Sequence, residues 1–223
     1  MDTDWNAEVV DQLESHWRHQ LRPRLDGLTD HEYFWQPVPG CRTISRRAES
    51  SAPVSFGAGE FTMDYGQPRP NPEPVTTIAW RLGHLIAGFA ESNASHFGGP
   101  PADVSTFTYA GTAKEALEQL DREHGTYVQG VRSLGTTGLI RPQGSKSPPE
   151  FADAPMAKLF LYINVEVIHP VCAVARVVQR PVRPCLVRVR RLRWRYRHWG
   201  ARARLQARCS ARGGPRRARR GAG

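Results

Sequence analysis

The chain has 223 residues, of which 31 are basic and 21 are acidic, so its net charge is +10. This length allows one substantial core, or one domain with an appended segment, and excludes an assembly of many domains. The charge is unevenly distributed, because residues 170–223 contain 17 arginines and no acidic residue. Residues 1–169 therefore carry −7 and residues 170–223 carry +17, and a charge argument for a polyanionic partner concerns only the last quarter of the chain.

Two compartment signals are missing from the sequence. The first residues do not form a basic start followed by an apolar run, which is the pattern of a secretory signal. No run of about 18 apolar residues is present that could span a bilayer. The four cysteines show neither a disulfide framework nor a CxxC metal signature, since Cys41 is isolated and the other three lie after residue 170. We expect a cytoplasmic protein without a membrane partner.

Helical periodicity begins near the N-terminus. Behind a cap at Thr3 or Asp4, apolar residues recur at every fourth position over about residues 5–21, which predicts an amphipathic helix. These residues are Trp5, Val9, Leu13, Trp17 and Leu21. Pro23 bends or ends this helix, and Thr29 with Glu32 has the spacing of a capping box that opens a short second helix.

Residues 37–75 are rich in proline, glycine and serine and have no sustained periodicity. A segment of this length inside a compact domain is usually a lid, a binding loop or partly disordered. Thr76 or Thr77 then caps a helix with a regular apolar face, and residues 98–101, Gly-Gly-Pro-Pro, end it.

Two more helices are predicted in the second half of the chain. Thr112 and Glu115 have the spacing of a capping box, and apolar residues continue at helical spacing until Gly135. Asp153 caps the last helix, with Pro155 near its first turn. Four long helices joined by two long crossover loops predict an all-α four-helix bundle.

Ionisable residues on two of these helices form the candidate site. His84 and Glu91 lie two turns apart, on a stripe that flanks the apolar face of their helix. Glu166 continues the stripe of Leu159 and Ile163, so its carboxylate is expected to point into the bundle, where it needs a cation or a metal. A His on one helix that faces a carboxylate and a His at i, i+3 on another is a metal-binding arrangement of bundles, and His169 supplies the second His.

A non-functional interpretation of the same residues is open. A lone His on a half-apolar helix is more often a hydrogen-bonded core or boundary residue than a metal ligand, Glu166 can pair with an arginine, and His169 can be exposed to solvent. Four other histidines lack partners at ligand spacing and are expected at the surface or the boundary of the core. They are His16, His19, His96 and His124.

Four stretches of residues 1–169 resemble actinobacterial proteins of the DinB/YfiT-like family. They are residues 17–23, 76–85, 96–101 and 164–169. The resemblance implies a four-helix bundle with a divalent metal, Zn, Ni, Fe or Mn, held between helices by one His of the second long helix and a His-x-x-x-His pair of the last. His84 matches the first ligand. Some relatives are transferases or isomerases that use a low-molecular-weight thiol such as mycothiol or bacillithiol.

The second motif departs from that pattern. Glu166 takes the first position of the pair and Pro170 takes the second, and proline has no donor atom and removes a helical amide. A third ligand is then missing or displaced to His169, and Tyr162, one turn before Glu166, is expected in the second shell with Glu91. We therefore expect a DinB-like thiol transferase, isomerase or hydrolase with an incomplete metal site, or a non-catalytic bundle. The expected partner is a small-molecule substrate, and a homodimer remains open.

Residues 170–223 have a composition unlike the rest of the chain, and are expected to be a disordered or irregular tail rather than an independent domain. One interpretation is a nucleic-acid-binding arm, in which aromatic residues among the arginines stack on bases. The other, which we favour, is a displaced reading frame of a GC-rich gene, because the change falls inside a family motif and within a predicted helix. An alternative frame near the codons for residues 169 and 170 would then encode a helical, acid-containing continuation.

Overall fold

The computed structural model describes residues 2–65 and 74–178, with side chains up to residue 168. Its first helix, α1, spans Trp5–His16 and continues through a π-helical segment, Trp17–Leu21, into the short helix α2, Arg22–Arg24. The side chain of Asp4 caps α1 by accepting hydrogen bonds from the amides of Asn6 and Ala7. Helix α3, Asp30–Tyr33, begins with the predicted capping box of Thr29 and Glu32.

A three-stranded antiparallel sheet lies in the segment that the sequence left without secondary structure. Its strands are β1, Ile44–Arg46, β2, Ser55–Phe56, and β3, Phe61–Asp64. The strand order is β1-β3-β2, so β3 pairs with both neighbours. The fold is therefore mostly helical with a small sheet, and not entirely helical as predicted. These strands have two to four residues, which is too short for an alternating pattern to appear in the sequence.

Helix α4, Ile78–His96, and helix α5, Ala113–Ile140, both begin at the predicted caps. Thr77 accepts a hydrogen bond from the amide of Trp80, and Thr112 accepts one from the amide of Glu115. The regular geometry of α5 is broken at Gly135, whose φ of 59° lies in the left-handed region, and a last helical turn follows it. The predicted end of the helix is therefore a kink.

The last long helix, α6, spans Met156–Val178. Pro155 occupies the position before its first residue, so the prediction that Asp153 caps the helix is wrong. The helix continues through Pro170, and residues 170–178 are therefore helical and not irregular as expected. The rest of the arginine-rich segment, with Cys185 and Cys209, lies outside the described residues.

The contacts between helices define their directions. Asn6, early in α1, donates a hydrogen bond to the carbonyl of Val131, late in α5, whereas Glu14 lies beside His124, so α1 and α5 are antiparallel. Phe89 packs on His124 and Phe97 on Tyr127, so α4 and α5 are parallel. The stacking of Phe97 on Phe160 places α6 against the same pair. Two parallel helices in sequence require a long crossover, which residues 97–112 provide.

The core lies among these four helices and extends under the sheet. Its largest fully buried side chains include Tyr33, Phe89, Tyr127 and Phe160, together with Ile44 of β1 and Met63 of β3. The sheet approaches α4 closely at Gly83, where an added Cβ would lie 2.5 Å from the Ile44 Cδ1. A side chain at this position would force the end of the Ile44 side chain to move, so glycine allows the close packing of β1 on α4.

Candidate functional site

Helix α4 presents His84 on a face that is open to solvent. The His84 side chain is 46% exposed, and a Cβ added at Gly88, one turn later, would meet no atom within 4 Å. One turn before His84, the indole of Trp80 stacks on the imidazole, with ring centroids 5.3 Å apart and planes inclined by 16°. One face of the imidazole is thus partly covered by the offset indole of Trp80, and space remains beside the ring.

Glu166 of α6 meets His84 across the gap between the two helices. The His84 Nε2 and the Glu166 Oε2 are 4.0 Å apart, and the Glu166 side chain is 42% exposed. The carboxylate therefore lies at the edge of the bundle, and the prediction that it points into the interior is wrong. Leu159 belongs to the buried face of α6 together with Phe160, Asn164 and Val167, whereas Ile163 is only partly buried. The stripe of Leu159 and Ile163 thus reaches the surface of the bundle at Glu166.

Glu91, predicted to support the site, lies two turns after His84 and holds the crossover loop. Its Oε1 accepts a hydrogen bond from the amide of Val104, with a distance of 2.8 Å. Burial raises the pKa of the Glu91 carboxyl, while the Val104 hydrogen bond and, more weakly, His84 lower it. Glu91 therefore fixes the loop that follows α4 through its hydrogen bond to Val104.

The remaining candidates, Tyr162 and His169, lie on α6. Tyr162 is partly exposed and lies one turn before Glu166. The backbone of His169 belongs to α6, but its side chain lies outside the described residues. The structure thus brings together His84 and Glu166, and the role of His169 stays a prediction.

The donor set can be compared with the geometry of a metal centre. Two donors bound tetrahedrally to one zinc ion at about 2.0–2.1 Å lie roughly 3.4 Å apart. The observed separation of 4.0 Å is slightly larger, and a small rotation of either side chain would close the difference. Among residues whose side chains are described, no group of three His, Cys, Asp or Glu is placed to hold a metal ion. The described side chains therefore supply two candidate donors, which is fewer than the three protein ligands of a catalytic zinc site. A third donor would have to come from His169, whose side chain lies outside the described residues.

Histidines elsewhere follow the prediction with one exception. His19 is exposed, and its Nδ1 lies 2.9 Å from the Ser15 carbonyl oxygen. Burial lowers the pKa of both His16 and His96, which lie at the boundary of the core. His124 was also expected at the boundary, but it is 5% exposed and belongs to the core of α5. Its spacing from Leu120 and Tyr127 is the signal that reveals its burial, since all three lie on one helix face.

A separate groove of about 270 Å³ lies between the crossover loop and the helices α4 and α5. Its lining includes Asp103, Gln119 and Arg122 but neither His84 nor Glu166. Glu91 connects the two regions, because it is held by the loop residue Val104. The candidate metal ligands thus lie on an open face and not in this groove.

Within residues 2–65 and 74–178, no helix combines the length and the apolar character that crossing a membrane requires.

The fold can be assigned to a family by its similarity to known proteins. No curated protein and no solved structure matches the chain. The family model of the DinB superfamily matches residues 12–169, which run from the end of α1 through α4 and α5 into α6 and include both members of the His84–Glu166 pair. The chain belongs to the DinB superfamily.

Proposed function

We propose that this DinB-superfamily protein is a divalent-metal-dependent enzyme of the thiol transferase, isomerase or hydrolase type, with its metal bound between α4 and α6. The observation that carries the proposal is the approach of the His84 Nε2 to the Glu166 Oε2, at 4.0 Å, on the open face of the bundle. Imidazole and carboxylate together suit Zn, Ni, Fe or Mn.

Each residue near the pair has a distinct role in the proposal. His84 and Glu166 hold the metal, and His169, one helical turn after Glu166, is the third ligand. When bound, the metal would polarise the substrate and lower the pKa of a bound water or thiol. Glu91 and Tyr162 support the ligands from the second shell, and their positions on α4 and α6, the helices that carry His84 and Glu166, support this role.

The open face beside Gly88 is suited to the second reactant. Because a Cβ at Gly88 would meet nothing within 4 Å, a small molecule can approach the imidazole without displacing a side chain there. We propose a low-molecular-weight thiol such as mycothiol as cosubstrate, on the strength of the family resemblance. The reacting substrate is a small molecule.

Measured metal binding by the full chain tests the proposal. We expect the unmodified protein to bind Zn²⁺, and His84→Ala and Glu166→Ala each to abolish stoichiometric binding while the helical circular dichroism signal is retained. His31→Ala is the matched control, because His31 is an exposed histidine on α3, remote in sequence from the site. Unchanged Zn²⁺ content in His84→Ala would refute the assignment.

The strength of Zn²⁺ binding distinguishes the proposed enzyme from a non-catalytic bundle. Pro170 stands where a histidine ligand is usual, so we expect weaker binding than in a site with three complete ligands. The half-exposed pair with two described donors also suits a bundle whose site has degenerated. Absence of Zn²⁺ binding by the unmodified chain would select that non-catalytic alternative.

A further inference from the structure

Trp80 connects the candidate site to the small sheet. Its indole stacks on His84, and the indole Nε1–H donates a hydrogen bond of 2.8 Å to the main-chain carbonyl of Asp64, at the end of β3. The tryptophan is therefore held at one edge by the sheet while its ring overlaps part of the histidine ring.

The carbonyl that accepts this hydrogen bond is itself fixed. The amide of Asp64 donates to the carbonyl of Thr43, and the Asp64 carboxylate accepts from the Thr43 amide at 2.9 Å. The Thr43 hydroxyl in turn accepts a hydrogen bond from the hydroxyl of Thr77, which caps α4. The start of α4 and the end of β3 thus form one hydrogen-bonded unit around Trp80.

The stack has a consequence for His84. An imidazole that is 46% exposed on a helix would ordinarily exchange among rotamers, and a metal would have to order it on binding. A ring that stacks on part of one imidazole face removes part of that freedom before any ligand binds. Such preorganisation by neighbouring groups is a general determinant of metal affinity.

We propose that Trp80 is a positioning residue that orients the His84 imidazole, and that β3 acts on the site through the indole hydrogen bond. The inference rests on the proposed function in one respect, which is that the oriented imidazole serves as a metal ligand. The orientation itself concerns the metal-free protein and is measurable without any metal.

The experiment compares Trp80→Leu and Trp80→Phe in the full chain, with Trp5→Leu as a matched control. Leucine removes the aromatic ring, whereas phenylalanine keeps a ring but loses the hydrogen bond to Asp64. Trp5 is 62% exposed on α1, so its replacement changes a tryptophan without touching the site. Circular dichroism first establishes that each variant retains its helical signal.

The first measurement is the NMR chemical shift of the His84 ring protons without metal. A stacked indole should displace these resonances by its ring current, and the displacement should vanish in Trp80→Leu, persist in part in Trp80→Phe and be unchanged in Trp5→Leu. Undisplaced His84 resonances in the unmodified chain would overturn the inference, whatever the metal result.

The second measurement is Zn²⁺ affinity. We expect Trp80→Leu to weaken binding roughly tenfold, Trp80→Phe to weaken it less, and Trp5→Leu to leave it unchanged. If His84→Ala abolishes binding but Trp80→Leu retains the full affinity, the positioning role is wrong and the proposed metal site stands. If His84→Ala retains binding, the metal site is wrong, and the ring-proton shifts alone decide whether Trp80 orients His84.

Discussion

Two histidines in the described part of the chain, His124 and His84, each lie beside a tryptophan and a glutamate. His124 is buried, whereas His84 is exposed to solvent. His124 stacks on Trp17 with centroids 3.5 Å apart, and its Nε2 lies 3.6 Å from the Glu14 Oε1. His84 stacks on Trp80 at 5.3 Å and faces Glu166. The His124 side chain is 6% exposed and the His84 side chain 46% exposed.

The difference shows that residue types alone do not define a site. The cluster of Trp17, Glu14 and His124 is enclosed by α1 and α5, so a substrate has no access to it and its contribution is to packing. The His84 cluster lies on an open face, where a metal can bind with little desolvation and a substrate can approach it. Accessibility therefore separates a structural histidine from a candidate ligand.

The largest expected loss of stability comes from replacing Trp17, which belongs to the buried cluster. Trp17→Ala removes a buried ring that stacks on His124, and we expect a loss of about 3–5 kcal/mol in the free energy of unfolding. His84→Ala removes an exposed side chain and should change stability by about 0.5 kcal/mol or less. Urea denaturation of both variants measures the contrast. Equal losses would mean that the two clusters do not differ as described.

The pH dependence of stability should report the buried His124. Burial, with a smaller effect of Arg132 on α5, lowers the pKa of His124 from 6.5 to about 4. Between these two values the unfolded chain binds the proton and the folded chain does not. Stability contributed by neutral His124 is therefore complete above pH 6.5 and falls as the pH decreases toward 4, by at most about 3 kcal/mol.

Glu14 on α1 should reduce this loss, because its carboxylate lies 3.6 Å from the His124 Nε2 and favours the protonated ring. His124→Phe keeps an aromatic ring without the titration, so its stability should vary less between pH 6.5 and 4 than that of the unmodified chain. His16 and His96 contribute a background of the same sign to both proteins. If stability varies with pH in the same way in His124→Phe and in the unmodified protein, the pH dependence comes from His16 and His96 and not from His124.

The sequence predicted the long helices well, because their caps and periodicity are local signals. Thr29, Thr77 and Thr112 all cap helices as expected. The sheet was missed because it depends on pairing between distant short segments. Its positions are set by contacts with α4, such as the approach of Ile44 to Gly83, and not by a pattern within 37–75.

The candidate site was predictable only in part, because helix positions are local signals and the packing between helices is not. The residues of the His84–Glu166 pair were identified from helix position and family motif. The exposure of Glu166 was not, since it depends on the rotation of α6 in the bundle. The position of Trp80 could not be predicted, because its hydrogen bond to Asp64 depends on the small sheet, which the sequence did not reveal.

The next prediction tests how closely the sheet approaches the helix that carries the site. A Cβ at Gly83 would lie 2.5 Å from the Ile44 Cδ1 and 3.2 Å from the Tyr109 Cδ1. Gly83→Ala should therefore destabilise the protein by about 1–3 kcal/mol through overpacking, despite the higher helix propensity of alanine. Thermal unfolding measures the loss. Gly83→Ala combined with Ile44→Val should recover part of it, and no recovery would place the strain elsewhere.

The smallest expected effect has the opposite sign and lies one turn beyond His84, on the same helix. Gly88 is exposed within α4, and an added Cβ would meet no atom within 4 Å. Gly88→Ala should stabilise the protein by about 0.4–1 kcal/mol, because alanine reduces the conformational freedom of the unfolded chain at no steric cost. A methyl group in open space should also leave Zn²⁺ affinity unchanged, which distinguishes this position from Trp80. Destabilisation by Gly88→Ala would show that α4 is packed against something on this face, and the open approach to His84 would then have to be abandoned.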